Sequence, residues 1–164
     1  MMVQVISLLS IILLCLIDQL IKWFVKVHLV PLDSVTVIPG VLEWKYVENT
    51  GAAFGSLSDN TFLLSVVTSA LILCCLAALL SGKIKDKVYV ACMILITAGG
   101  LSNLIDRMFR GTVFFCGYVI DYINVLFVDF AVFNFADCLI TVGCFAAIIY
   151  ILIGDKLKKR KNND

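Results

Sequence analysis

The side chains best suited to chemistry fall in one stretch, residues 99–137. It holds Asp106, Asp121, Asp129 and Asp137, with Arg107, Arg110, Asn103, Asn124 and Asn134, between long apolar runs. A carboxylate at the centre of a membrane helix costs roughly 2.5–3.5 kcal/mol on insertion scales, so such residues call for a reason. Asp121 and Asp137 each lie beside a segment apolar enough to be embedded. Two carboxylates close together in a low-dielectric site cannot both ionise cheaply, and one keeps its proton. The ionised partner can then take a proton from water, while the protonated one polarises a peptide carbonyl. Asn103 and Asn134 suit substrate binding or orientation of the carboxylates, and Arg107 suits an ion pair with Asp106 that fixes a helix end. Asp129 reads as a plain loop residue, and Arg110 and Lys26 as side chains that reach lipid headgroups. On spacing alone, the same residues also fit a salt-bridge network that orients helices, or an ion-transport or proton-relay site.

Other chemistries are poorly provided for. There is no HExxH zinc motif, no GxGD, and Gly100-Leu101-Ser102-Asn103 departs from a nucleophilic-serine pattern with His28, the single histidine, far away. Seven cysteines, an odd number without a CxxC, read as small apolar packing residues, with Cys116 and Cys138 the pair nearest the polar stretch. A net charge of +1 offers no basic face, which sets nucleic acid aside as a partner. No metal site is expected.

The elements that must position these groups follow from composition. The chain is 62% hydrophobic and 15% charged, with a mean hydropathy of +1.04. Its pattern predicts an all-α membrane protein, one integral-membrane domain over 1–164, with spans near 3–25, 61–80, 88–105 and 133–153. The first apolar run reads as a retained span rather than a signal peptide. No Lys or Arg precedes it, no small-x-small site follows it, and Leu13-Leu14 lack the small residue expected before a lipoprotein-type Cys15. Asp18 and Lys22, four apart near its end, can pair on one helix face, either as an interfacial ion pair that ends the span or in a structural role beside an active site. Residues 35–38 and 42–46, separated by Pro39-Gly40, read as short strands of a small sheet at headgroup level, with Trp44 and Tyr46 suited to that depth. Ser58, Asp59 and Asn60 are cap candidates for the second span.

Charge sets the expected topology. Lys83, Lys85 and Lys87 mark the turn between the second and third spans, and Lys156, Lys158, Lys159, Arg160 and Lys161 mark the tail. Residues 28–60 instead carry Asp33, Glu43, Glu48 and Asp59 against Lys45. The positive-inside rule places both termini in the cytoplasm and makes the sheet extracytoplasmic, on the same face as 106–132.

Five blocks, in order, resemble the bacterial lipoprotein signal peptidases (signal peptidase II). They are Asp18-Gln19-Leu20-Ile21-Lys22; Asn49-Thr50-Gly51-Ala52-Ala53-Phe54-Gly55; Gly99-Gly100-Leu101-Ser102-Asn103-Leu104-Ile105-Asp106-Arg107; Gly117-Tyr118-Val119-Ile120-Asp121; and Phe133-Asn134-Phe135-Ala136-Asp137. The resemblance implies an aspartyl endopeptidase that cuts diacylglyceryl-modified prolipoproteins just before the lipidated cysteine, without metal or organic cofactor. It implies Asp121 and Asp137 as the catalytic pair, and Asn49, Gly51, Asn103, Arg107 and Asn134 as binding or supporting residues. Asp18 and Asp106 take structural support. It further implies the bacterial cytoplasmic (inner) membrane, an active site at the extracytoplasmic face, contact with membrane lipid, and inhibition by globomycin-type cyclic peptides. One departure is an insertion around residues 112–116: Gly111 and Gly117 compete for the glycine that precedes Asp121, and Gly117 fits better.

Overall fold

The computed structural model describes residues 2–51 and 60–161, with side chains up to residue 154. Ala52, Ala53, Phe54, Gly55, Ser58 and Asp59, and the side chains of the basic tail, lie outside the described residues. The described elements are α1 (Met2–Leu29), β1 (Ser34–Ile38), β2 (Leu42–Asn49), α2 (Thr61–Leu80), α3 (Lys87–Phe109), β3 (Val119–Val125) and α4 (Phe135–Lys161). Four helical stretches, Met2–Leu29, Thr61–Leu80, Lys87–Phe109 and Phe135–Gly154, are long and apolar enough to cross a membrane. Their bounds lie within a few residues of the approximate spans read from the sequence. The third helix runs a further turn beyond 105 and so keeps Asp106 and Arg107 helical, and the fourth starts after Phe133 and Asn134 rather than with them.

The helices α1, α2 and α4 each bury a narrow stripe and turn their apolar bulk outward, whereas α3 is buried on several faces between Thr97 and Arg107. On α1 the buried residues are Ser7, Ile11, Cys15, Asp18, Lys22, Val25 and Leu29, spaced three or four apart on one face. Leu9, Leu13, Leu71, Leu73 and Phe145 are all largely exposed, as suits side chains whose solvent is hydrocarbon. The helix α3 is central, packing against α1, α2 and α4. Gly99 lets α4 approach it closely: a Cβ there would overlap the Ala136 carbonyl oxygen and lie 2.8 Å from Ile140. At the start of α3, Asp86 accepts from the Val88 and Tyr89 N–H groups, closing the basic turn. At α2, Asn60 stands at the cap position without a side-chain cap bond.

The sheet has order β1-β2-β3, antiparallel throughout, one strand more than the sequence reading anticipated. Pro39-Gly40 makes the first hairpin turn, with Gly40 at φ +70° and Val41 N–H donating to Ile38 O at 3.0 Å. The third strand carries Asp121. Alternation sends Ile120 and Tyr122 into a core with Val25 and Leu29 of α1, and Val119 and Asp121 toward the opposite face. After the loop that follows β3, Phe133 returns antiparallel to Ile123 and bonds its backbone on both sides. That return lets a short linker deliver Asn134 and α4 beside Asp121.

The insertion loops out between α3 and β3 and closes on the end of α3. Gly117 N–H donates to Arg107 O at 2.9 Å, and Tyr118 N–H to Arg110 O at 3.0 Å. A Cβ at Gly117 would overlap the Arg110 carbonyl, so the glycine that abuts the helix is Gly117. The seven cysteines are free, Cys116 exposed and Cys138 partly buried.

Candidate active site

The first turn of α4 builds one half of the site. Asn134 and Asp137 form a reciprocal cap: the Asp137 N–H donates to Asn134 Oδ1 at 3.0 Å, and the Asn134 N–H to Asp137 Oδ2 at 3.0 Å. The other free N–H groups of that turn are also taken. Phe135 donates to the Tyr122 hydroxyl at 3.3 Å, and Ala136 to Asp18 Oδ1 at 3.0 Å. So the backbone of the turn that carries Asp137 is held from β3 and from α1 at once.

Three asparagines reach the two carboxylates, each with its amide orientation fixed by a neighbour. Asn49 accepts the Gly51 N–H on Oδ1 at 2.9 Å, which leaves its Nδ2 to donate to Asp121 Oδ2 at 2.8 Å. Asn134 accepts the Asp137 N–H, which leaves its Nδ2 to donate to Asp121 Oδ1 at 2.6 Å. Asn103 accepts the Lys22 ammonium on Oδ1 at 2.8 Å, and its Nδ2 donates to Asp137 Oδ1 at 2.8 Å. Backbone N–H and ammonium groups cannot accept, so none of these amides can be turned over without setting donor against donor. Asn134 bonds both carboxylates, which brings Asp121 and Asp137 into one cluster.

Behind this layer lies a buried ionic network. Lys22, fully buried, pairs with Asp18 Oδ2 and Asp106 Oδ2, each at 2.7 Å. Ser102 donates to Asp18 Oδ2, and Gln19 bonds Ser102, Asp106 and Arg110. Two sequence expectations are corrected here. Asp106 pairs with Lys22 and Arg110, not Arg107, because Arg110 lies one turn on along the same face. Arg110 is therefore part of this network rather than a headgroup ligand. Arg107 instead turns to the chain after β2 and donates from Nη2 to Gly51 O at 2.8 Å. The Asp18–Lys22 pair forms as expected, but it sits at 0% exposure inside the bundle.

The cluster opens on a cavity of about 850 Å³. Asn49, Gly51, Asn103, Arg107, Asp121 and Asp137 all line it, with Leu64 and Thr68 of α2 and Ile140, Thr141 and Val142 of α4 forming walls within the spans. Asp18 and Asp106 stand outside it and Asn134 is fully buried behind the carboxylates. Asp129 is exposed in the loop after β3. Among the described residues no group of His, Cys, Asp and Glu is placed to hold a metal ion. Gln19 has no role in the sequence reading and Arg110 a different one, while Lys22, read there with Asp18, also reaches Asn103. The spacing of Asp106 and Arg110 was a usable signal, whereas nothing in the sequence joins Lys22 to Asn103.

Burial, and next the neighbouring Asp137 charge, push the Asp121 carboxyl up to about 6, against the two asparagine bonds that favour its ionised form. A raised carboxyl binds its proton more tightly in the folded state than in the unfolded one. Stability is therefore highest below the ordinary carboxylate value and falls as pH rises from about 4 to about 6. Thermal unfolding in detergent should show the wild type losing Tm relative to Asp121→Asn across that window. Parallel curves for the two proteins would contradict the raised value.

Comparison with known proteins covers nearly the whole chain. A family model described as signal peptidase (SPase) II matches residues 10–153. The lipoprotein signal peptidase of Streptococcus pyogenes serotype M5 (strain Manfredo) is 36% identical over 141 residues, covering 86% of this chain and 89% of the relative. That of Streptococcus thermophilus (strain CNRZ 1066) is 34% identical over 134 residues, covering 82% and 84%. A bacterial membrane enzyme solved by the in meso method at 2.3 Å superposes with a TM-score of 0.81 at 28% identity, covering 93% of this chain and 90% of that one. A second, at 1.9 Å, gives 0.75 at 28% identity, covering 89% and 92%.

Proposed function

The chain belongs to the signal peptidase II family, and we propose that Asp121 and Asp137 are the dyad through which it cuts. It is a multi-pass membrane aspartic protease that removes signal peptides from prolipoproteins. The observation that carries the dyad assignment is the set of four hydrogen bonds from Asn49, Asn103 and Asn134, which together hold all four carboxyl oxygens at one cavity wall.

In this reading the pair holds one proton, and burial beside the Asp137 charge favours its resting on Asp121. A water between the carboxyls gives its proton to Asp137 as its oxygen attacks the scissile carbonyl, while the Asp121 proton polarises the carbonyl oxygen. Collapse of the tetrahedral intermediate returns a proton to the leaving amine. Arg107 holds Gly51, and so keeps Asn49 against Asp121, rather than touching the reacting atoms.

The substrate enters from the bilayer. A signal peptide is an apolar helix, and the cavity walls on α2 and α4 match it chemically. The cut falls before a cysteine that already carries diacylglycerol, whose acyl chains stay in lipid. Lys83, Lys85 and Lys87 mark the cytoplasmic end by the positive-inside rule, and the dyad stands at the opposite end of α3, on the extracytoplasmic face of the cytoplasmic membrane, with both termini inside. Globomycin-type cyclic peptides would occupy the same cavity. The whole of 1–164 acts as one peptidase domain.

Purified protein offered a synthetic precursor with and without the diacylglyceryl group tests this reading by mass spectrometry of the products. The expected result is cleavage of the lipidated form immediately before its cysteine. Equal cutting of the unlipidated form, or cleavage elsewhere, would overturn the substrate assignment.

A further inference from the structure

We propose that Lys22 is a positioning residue for the dyad: its ammonium fixes the orientation of the Asn103 side-chain amide and so aims an N–H donor at Asp137. The inference rests on the dyad reading above and adds to it a residue that neither touches substrate nor lines the cavity.

The ammonium of Lys22 has three N–H donors and no acceptor. It makes three short contacts, ion pairs to Asp18 Oδ2 and Asp106 Oδ2, each at 2.7 Å, and a hydrogen bond to Asn103 Oδ1 at 2.8 Å. Lys22 and Asp18 are both fully buried, so neither end of the network can turn to water for a partner. A side-chain amide has two nearly isosteric ends, and only its neighbours decide which end faces where. Facing Lys22, Asn103 must present oxygen, so its NH₂ must face Asp137 Oδ1, at 2.8 Å. The Asn134 Nδ2 group, 3.3 Å from the same Asn103 oxygen, adds a second vote for that orientation. If the amide turned over, carbonyl oxygen would face carboxylate oxygen at Asp137, and donor would face donor at Lys22.

Charge neutralisation does not account for this arrangement. Asp18 and Asp106 are balanced by Lys22 and Arg110 within the network itself. The contact with Asn103 is the one arm of the ammonium that leaves the ion pairs, and it runs to the residue that holds Asp137. The anchoring is symmetrical, because Asp18 also accepts the Ala136 N–H, next to Asp137. One buried ion pair on α1 thus fixes the side chain of Asp137 through Asn103 and its backbone through Ala136.

The amide orientation can be read in the wild-type protein. With ¹⁵N-labelled asparagine in micelles, the Asn103 amide protons should give cross-peaks to the Asp137 β-protons. Cross-peaks to the Lys22 ε-protons instead would overturn the proposal without any variant. Two substitutions then test the consequence: Lys22→Met, and the charge-balanced double variant D18N/K22Q, which serves if the first does not fold. In folded enzyme, kcat should fall about 10–100-fold with KM within about twofold, as for a misplaced catalytic group, and the Asn103 amide signals should move while those of Asn49 stay. A merely structural Lys22 would lower the yield of folded protein but leave kcat per folded molecule and the Asn103 signals unchanged, and that result would overturn the proposal. Activity retained in Asp137→Asn would remove the dyad reading instead, while the wild-type cross-peaks would still report on the amide.

Discussion

Replacing either Asp121 or Asp137 by Asn is expected to reduce prolipoprotein cleavage by about 10³-fold or more, while the protein still folds and inserts. General acid–base groups contribute about 10²–10⁴-fold each, and a dyad loses its function when either member can no longer exchange a proton. Folding should survive for a physical reason. In Asp121→Asn, one of the two donors from Asn49 and Asn134 meets an NH₂ group instead of an oxygen, a cost of about 1–3 kcal/mol. Against it, the substitution removes the penalty that burial and the Asp137 charge set on ionising this side chain as pH rises, so the two effects offset. In Asp137→Asn, the cap at the α4 start keeps the Asp137 N–H bond to Asn134 and loses part of the reverse one. Cleavage assays on folded fractions, with thermal unfolding beside them, separate the two effects. Either variant cutting at the wild-type rate would end the dyad assignment.

The second large effect is expected far from the reacting atoms, at Gly99. The helices α3 and α4 meet there without a side chain between them, and a Cβ would overlap the Ala136 carbonyl. Asn103 stands one turn further along the same face of α3, and Asp137 is next to Ala136 in the chain. Gly99→Ala must therefore push apart the two helices that hold the 2.8 Å bond between Asn103 and Asp137. Overpacking of this kind costs about 1–3 kcal/mol, more than the roughly 1 kcal/mol of helix propensity that alanine brings. A displacement near 1 Å at a catalytic group costs on the order of 10²-fold in rate. Gly100→Ala is the control for stability. Its Cβ would meet Ile72 at 3.4 Å, an ordinary contact, so Tm should hold or rise. If Gly99→Ala matches Gly100→Ala in Tm and keeps full activity, the close approach is not what sets the dyad.

The fold was largely legible because membrane spans and turns leave strong marks in sequence. Apolar length located the four helices, and Pro39-Gly40 between alternating segments located the first hairpin. The third strand, Val119–Val125, carries β-branched and aromatic residues but no clean apolar–polar alternation, because both of its faces are covered. Asn134 and Asp137, three apart, carried the mark of a capping box, which would have put the α4 start after Asn134. Arg110 was misread because its exposure was judged from its place near a span end, while its spacing from Asp106 pointed inward. The links from Lys22 to Asn103 and from Arg107 to Gly51 join residues 81 and 56 apart in the chain, and no local pattern encodes them. The family blocks named most of the site residues, yet only the folded arrangement supplies an account of why three asparagines are needed: each presents an N–H to a carboxyl because a neighbour holds its oxygen.

A crystal structure with ordered water would test the central claim most directly. The account predicts one water within about 2.6–3.2 Å of a carboxyl oxygen from Asp121 and of one from Asp137. Carboxyl groups more than about 6 Å apart at their nearest oxygens, too far for a single water to bridge at ordinary hydrogen-bond lengths, would contradict it.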